Sequence, residues 1–188
     1  SVDEMDDIAR ISGIPDIERP CYGHYLNPRA VAIKAAKKRG TNYSDMNFIV
    51  AHIGGGTTIN VHIKGRVVDT LTDEEGPFSA ERAGGLPADK LMSLCFSGKY
   101  SQAELQRKLR GNGGLSAYLN TTDAREVQKR IEKGDEFARL IYEAMAYQIS
   151  KSISSFAATA AGNIDLIILT GGMANSKILT SWIENRVS

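Results

Sequence analysis

The 188-residue sequence is poor in several residue types: two cysteines, one tryptophan, five prolines and an aromatic content of 7%. Cys21 and Cys95 form no metal-ligand spacing and no disulfide framework, and they fit a reducing compartment. An excess of one charge is also lacking. Lysine and arginine total 23 against 22 acidic residues, which argues against a nucleic-acid surface and a polybasic membrane patch. No apolar run approaches the length of a bilayer span, and the acidic opening SVDEMDDIAR has no signal-peptide character. Repeats, low-complexity tracts and Pro/Ser-rich linkers are missing as well. With 42% hydrophobic and 24% charged residues the chain has the composition of a globular protein with a real core, expected in the cytoplasm.

Glycine is abundant by comparison, with 18 residues. Gly54, Gly55 and Gly56 stand together in NFIVAHIGGGTTINVHIKG, Asn47 to Gly65. Glycine in a strand or its turn costs conformational entropy, so a run of three needs a reason. Either the turn requires positive φ angles or something approaches the backbone closely.

Apolar spacing through Val2, Met5, Ile8 and Ala9 predicts a helix at the start of the chain. In NPRAVAIKAAKKRG, Asn27 reads as an N-cap, Pro28 as the first helical position and Gly40 as the stop. Three strands follow, Phe48–Ile53, Thr57–Lys64 and Arg66–Leu71, joined by the glycine turn and by Lys64-Gly65 into an antiparallel meander. LPADKLMSLCFS and SQAELQRKLRG read as helices, the second opened by a capping box of Ser101 and Glu104. GNGGLSAYLNTTD reads as a glycine-rich junction, and Asp123 to Lys133 as a short charged helix. Phe137, Ile141, Met145, Ile149, Ile153 and Ala157 mark the core stripe of a long helix. NIDLIILTGG is a short buried strand entering a turn, and SKILTSWIENRV begins a last helix. The order implies a mixed α/β sheet flanked by helices, with the strand Asp165–Thr170 lacking one neighbour and the chain expected to stop short of the fold's C-terminal end.

HIGGG is followed by a strand, so it is neither a P-loop nor a dinucleotide fingerprint. Its bare amides, with the hydroxyls of Thr57 and Thr58, can form an anion nest; equally, the glycines can serve hairpin geometry alone. Arg82, in SAERAGG, sits among small residues that let a substrate close, or is a solvated loop arginine paired with Glu81. His52 ends a strand beside the glycines and can donate to a phosphate or be satisfied structurally; His62 reads as a strand-face residue only.

VDEMDDIARISGIP, HYLNPRAVA, NFIVAHIGGG, GPFSAERAGGLP, LCFSGKY, TTDAREV, YEAMAYQI and IILTGGMANS together resemble the acetokinase family, within the acetate and sugar kinase/Hsp70/actin superfamily, and most closely its butyrate kinase branch. The resemblance implies a ribonuclease H-like, actin-like ATPase domain at 47–188, incomplete at its C-terminus, after a helical lead-in or interdomain segment at 1–46. It implies reversible phosphoryl transfer between ATP and butyrate or a branched short-chain acid, giving acyl phosphate and ADP. ATP/ADP and Mg²⁺ are the implied cofactors, the metal held by nucleotide phosphates with no protein metal site. A short-chain acid and a nucleotide are the implied partners, with no nucleic acid or membrane, in a homo-oligomer (dimer or higher).

By the same resemblance His52, Gly54, Gly55, Gly56 and Thr57 form the phosphate turn, and Arg82 is the catalytic arginine. Asp123, Arg125, Gly171, Gly172, Met173 and Asn175 lie on the adenosine side, where the glycine pair lets purine and ribose approach the backbone. Acetate kinases carry a Gly-Thr-Ser-His run where this chain reads Tyr25-Leu26-Asn27-Pro28. His24 and Asn27 are the candidates to replace that histidine. The family's catalytic aspartate falls just upstream, with Asp3 a weak substitute. The chain alone is then expected to be a fragment without turnover. The alternatives are a non-catalytic nucleotide-binding or dimerisation module, or another actin-like-fold kinase or chaperone-type ATPase.

Overall fold

A computed structural model describes residues 4–188, so Val2 and Asp3 lie outside the described residues. β1 (Asn47–Ile53) is apolar at nearly every position because it is covered on both faces. It pairs antiparallel with β2 (Thr57–Ile63) and parallel with β4 (Leu166–Thr170). β3 (Arg66–Leu71) continues the meander across Lys64-Gly65, both at positive φ, to give the order β3-β2-β1-β4. Among the described residues β4 has one strand neighbour, β1.

One face of the sheet is closed by α7 (Glu136–Phe156), whose Ile141, Met145, Ile149 and Ile153 pack with Ile49, Ala51, Ile53, Ile59 and Val61. α8 (Lys177–Val187) joins that layer through Leu179 and Ile183. The other face is closed by α2 (Leu26–Lys38), where Ala32 and Ala36 seat a narrow stripe on Phe48 and Val50. Of the smaller helices, α5 (Gly114–Leu119) and α6 (Ala124–Glu132) add Leu115, Leu119 and Val127 to the α7 core, and α3 (Ala88–Cys95) and α4 (Gln102–Leu109) complete the set. Ser101 and Glu104 form the expected capping box. Among the described residues no helix is long and apolar enough to cross a membrane.

The structure corrects four local expectations. The N-terminal helix is one turn, α1 (Asp7–Arg10), with Ile8 exposed. Its flanking backbone is spent on β3 instead: Asp6 N–H donates to the Val68 carbonyl at 2.9 Å, and the Glu4 carboxylate accepts from Val67 N–H and pairs with Arg29. Asn27 does not cap α2. The helix starts at Leu26, which places Asn27 inside the first turn and frees its carboxamide for tertiary bonds. In GNGGLSAYLNTTD, Leu115 and Leu119 bury as an i, i+4 pair and hold the short helix α5. On α7, Asp135 caps at Ala138 N–H, so Ala138 takes the buried first-turn position and Phe137 is 52% exposed, while Ala157 opens a 3₁₀ turn.

His62 is a core residue, fully buried on β2 between Tyr43 and Phe48. The Tyr43 hydroxyl lies 2.7 Å from Nδ1. Burial, with the Arg29 charge adding to it, pushes the imidazole down to about 4. The unfolded chain therefore takes up a proton near pH 6.5, where the folded chain refuses it. The stability tied to a neutral His62 is complete above that pH and is lost as pH falls through about 4. Urea unfolding between about pH 7.5 and pH 4 should show a loss on the order of 3 kcal/mol from this group, shrinking in His62→Gln. An unchanged pH dependence in the variant would assign the acid sensitivity elsewhere.

Candidate active site

Thr58, His52 and Thr170 stand directly opposite one another on β2, β1 and β4, a polar row across the end of the sheet. It lies at the carboxyl ends of the parallel pair β1 and β4, the position where open α/β sheets leave a crevice. They share the face that carries Phe48 and Val50, so α2 covers them, and its first turn and the residue before it supply the other polar groups. The His24 ring stacks on His52 at 4.0 Å and 15° between planes, and its Nδ1 lies 2.9 Å from Thr58 Oγ1. Asn27 Oδ1 accepts from the Thr170 hydroxyl at 3.1 Å and lies 3.0 Å from His52 Nδ1. Burial first, and the charge of His24 second, hold His52 below the ordinary histidine value. The start of α2 has no side-chain cap, so the leading N–H groups add positive potential beside this row.

None of Gly54, Gly55 and Gly56 has a positive φ, so turn geometry does not demand them. Close approach does. A Cβ on Gly56 would lie 3.0 Å from Asp73 Oδ2, and one on Gly55 would lie 2.7 Å from Glu81 Oε1. A Cβ on Gly54 would lie 3.6 Å from His52 Nε2, so that nitrogen faces the turn. Gly55 O also accepts from Ser79 Oγ and from Glu81 N–H. Thr57 is buried, and its hydroxyl has no partner among the described residues.

The two carboxylates on the glycine turn also hold Arg82. Its Nε donates to Asp73 Oδ2 at 3.0 Å, and Nη1 lies 3.3 Å from Glu81 Oε1. Arg110 extends the network to Glu74 at 3.0 Å. The arginine sits on a tight turn, Ser79 N–H to Arg82 O, clamped from behind by the α4–α5 connection through Ala83 N–H to Leu109 O and Leu115 N–H to Ser79 O. The clamp depends on Gly114, at φ 56°, where a Cβ would fall 1.9 Å from Ser79 O. Beside this network opens a cavity of about 600 Å³ with Asp73, Glu74 and Arg110 on one side and Leu86, Leu91 and Leu109 on the other. Tyr22 borders the same acidic group, and burial together with Glu74 pushes its hydroxyl up to about 12.

The two glycines after β4 differ. Gly171, at φ 94°, packs so tightly that a Cβ would lie 2.4 Å from Ile53 O, whereas a Cβ on Gly172 would meet nothing within 4 Å. Met173 is buried in the core, and Asn175 Nδ2 donates to Gly172 O at 3.0 Å. Asp123 caps α6 and binds the Arg125 guanidinium, whose hydrogen bond brings the carboxyl down to about 2. The structure therefore gathers His24, Asn27, His52 and the glycine turn with the turn after β4, and links Arg82 to them through Asp73 and Glu81. Asp123 and Arg125 bond to one another and to the start of α6. Thr170, Asp73 and Gly114 also belong to this constellation, and the sequence reading passed over them. Only Thr170, directly before Gly171-Gly172, had a visible signal.

A model of the acetokinase family matches residues 22–184. Among solved structures, an acetate kinase from Porphyromonas gingivalis superimposes with TM-score 0.85 at 24% identity, covering 95% of this chain and 47% of that one. A propionate kinase from Francisella tularensis subsp. tularensis SCHU S4 gives 0.86 at 24% identity, covering 97% and 50%. An acetate kinase from Entamoeba histolytica gives 0.81 at 17% identity, also covering 97% and 50%. The chain thus spans about half the length of these structures, and it shares their actin-like ATPase fold.

The glycine contacts predict a contrast in stability. Gly114→Ala forces a side chain into the Ser79 carbonyl at a left-handed φ and should cost about 3 kcal/mol or more in chemical denaturation. Gly172→Ala enters open space and should stay within about 0.5 kcal/mol of the parent. Equal losses in the two variants would refute the clamp on the arginine loop.

Proposed function

Because this chain belongs to the acetokinase family, we propose that the whole protein is a carboxylic-acid kinase, moving a phosphoryl group reversibly between ATP and butyrate or a branched short-chain acid. The observation that carries this reading is the meeting of three parts at the end of β1: the bare glycine turn, the His24–His52–Asn27 group and the tethered Arg82. The departure from the acetate kinases at Tyr25-Leu26-Asn27-Pro28 is what favours the butyrate branch. On this reading residues 47–188 are the nucleotide-binding domain, and residues 1–46 lead into it, with α2 closing one face of the sheet.

In this reaction an oxygen of the acid's carboxylate attacks the terminal phosphorus of ATP. The new O–P bond forms as the bond to the ADP oxygen breaks, and the electron pair leaves on ADP. Little covalent chemistry falls to the protein; positioning and charge supply the rate. The amides of Gly55 and Gly56 and the leading N–H groups of α2 would receive phosphate oxygens, the Gly54 N–H being spent on the Gly56 carbonyl at 3.1 Å. His52 Nε2, facing Gly54, would meet the same group. Arg82, steadied by Asp73 and Glu81, would stabilise the charge on the transferring phosphoryl, where a planar fork of donors suits the oxygens. Mg²⁺ would be held by the nucleotide's phosphates, whose charge it would neutralise, since Asp73 and Glu81 are both engaged with Arg82 and no cluster of metal-ligating side chains stands among the described residues. Gly172 leaves the open backbone that purine and ribose would meet. Met173 would act from the core by fixing that turn, and Asn175 by its bond to Gly172 O.

Hydroxamate trapping of acyl phosphate, with ATP, Mg²⁺ and acids from acetate to isovalerate, tests the reaction on the whole protein. Butyrate or a branched acid should give the highest kcat/KM. Arg82→Ala should lower kcat by about 10²–10³ with nucleotide affinity little changed, and Arg82→Lys should recover little of the loss. No hydroxamate with any acid, or a parental kcat in Arg82→Ala, would overturn the assignment.

A further inference from the structure

His52 is tied at one nitrogen and open at the other. Its Nδ1 faces Asn27 Oδ1 at 3.0 Å, and the same oxygen accepts from the Thr170 hydroxyl at 3.1 Å. An amide oxygen has two lone pairs and no proton, so two donors converging on it are satisfied only if His52 carries its hydrogen on Nδ1. The Thr170 hydroxyl, donating from β4, sets the carboxamide oxygen on this side of Asn27. Nε2 is then a bare lone pair, and it points at Gly54.

A lone pair there repels an anion. The groups facing His52 are His24 from the loop before α2, Asn27 from α2, Thr58 from β2 and Thr170 from β4. Farther along the turn come Glu81 and Asp73, each engaged with Arg82. Among the described residues no carboxylate bonds to His52, so in the free chain no anion beside it holds a second proton there. The stack itself, at 4.0 Å, opposes two charges but tolerates one, since a neutral ring lies flat against an imidazolium as a cation–π partner.

We propose that the stacked His24–His52 pair is a one-proton receptor for phosphoryl anions: Asn27 and Thr170 are positioning residues that keep the His52 proton on Nδ1, and an arriving phosphate draws a second proton from solvent onto Nε2. This rests on the reading that a phosphoryl ligand meets the glycine turn. No covalent bond changes; one solvent proton binds with the ligand and leaves with it. The sign follows from linkage. Ligand raises the affinity of His52 for its proton, so binding is strongest at low pH and weakens as pH rises, by up to about tenfold in Kd per pH unit between the free and bound titrations. A carboxylate in place of the Asn27 carboxamide would hold the proton beforehand and flatten that slope.

Nitrogen NMR of the chain labelled in its histidines tests the first half without any ligand. The free protein should show His52 neutral with hydrogen on Nδ1, and Asn27→Ala should move that hydrogen largely to Nε2. Asn27→Asp, which suits a helix first turn, should raise the His52 titration above the parental one. Calorimetry of MgADP binding in buffers of different ionisation enthalpy tests the second half, with an expected uptake approaching one proton that NMR places on His52 Nε2. Hydrogen on Nε2 in the free parent, or MgADP binding with no proton taken up, overturns the proposal even if the protein is a kinase. Should MgADP fail to bind, the kinase reading is what suffers, and the tautomer in parent and Asn27 variants decides the proposal alone.

Discussion

β1 has no polar face until its last turn. Phe48 and Val50 are buried under α2, and Ile49, Ala51 and Ile53 under α7, so the strand can exist only as a centre strand with a layer on each side. The parallel pairing with β4 follows, since an antiparallel meander alone would leave one edge of β1 bare to water. So does the position of the polar groups. His52 is the first residue of β1 that is less than fully covered, and the glycines begin one residue after the last buried side chain. The end of hydrophobic cover and the start of the site are the same event.

Beyond that end, two arginines of the free protein are each paired with two carboxylates. Arg82 lies between Asp73 and Glu81, and Arg110 between Asp73 and Glu74. The exposed Arg110–Glu74 pair contributes little to stability, a median of about 0–1 kcal/mol for such pairs, while Arg82 and Asp73 are partly covered. Their effect is better seen as placement. A flexible arginine would sample many rotamers, whereas one tied at Nε and Nη1 presents the rest of its fork in a fixed direction. The absence of side chains on Gly55 and Gly56 lets Glu81 and Asp73 lie flat on the turn, and so brings the tether to the strand end.

Legibility in the sequence followed range. The meander, α7 and the Ser101 capping box are written in periodicity and in neighbours a few residues apart, and they stand as expected. Where the partner is distant, local signals misled. Asn-Pro looks like a helix cap, yet the helix begins at Leu26, two residues before Pro28, and Asn27 is claimed instead by His52 and by Thr170, 143 positions away. Met5 and Ile8 look like a helical stripe, yet Glu4 and Asp6 are claimed by β3. Arg82, His52 and the glycine turn were legible as types of residue suited to phosphate. Asp73 was not, because an acid in TDEEGP looks like any solvated loop residue until Gly56 and Arg82 are seen beside it.

The glycines themselves divide by what blocks a side chain. At Gly114 and Gly171 the obstacle is the chain's own backbone, the carbonyls of Ser79 and Ile53, and these glycines are needed whether or not anything binds. At Gly55 it is the carboxylate end of Glu81, and at Gly56 it is Asp73, met at its Cβ as well as at its carboxylate. A Cβ on Gly54 would meet first the Gly56 carbonyl and the His52 ring, at ordinary contact distance, and one on Gly172 would meet nothing within 4 Å. A residue kept small with nothing of the protein against it is accounted for by folding least well. Gly54 and Gly172 belong to the two turns that follow the parallel strands β1 and β4, which run side by side with His52 opposite Thr170. Backbone left bare at both ends of that pair is what a ligand lying across the two strands would require, and the stacked imidazoles flank one end of that path.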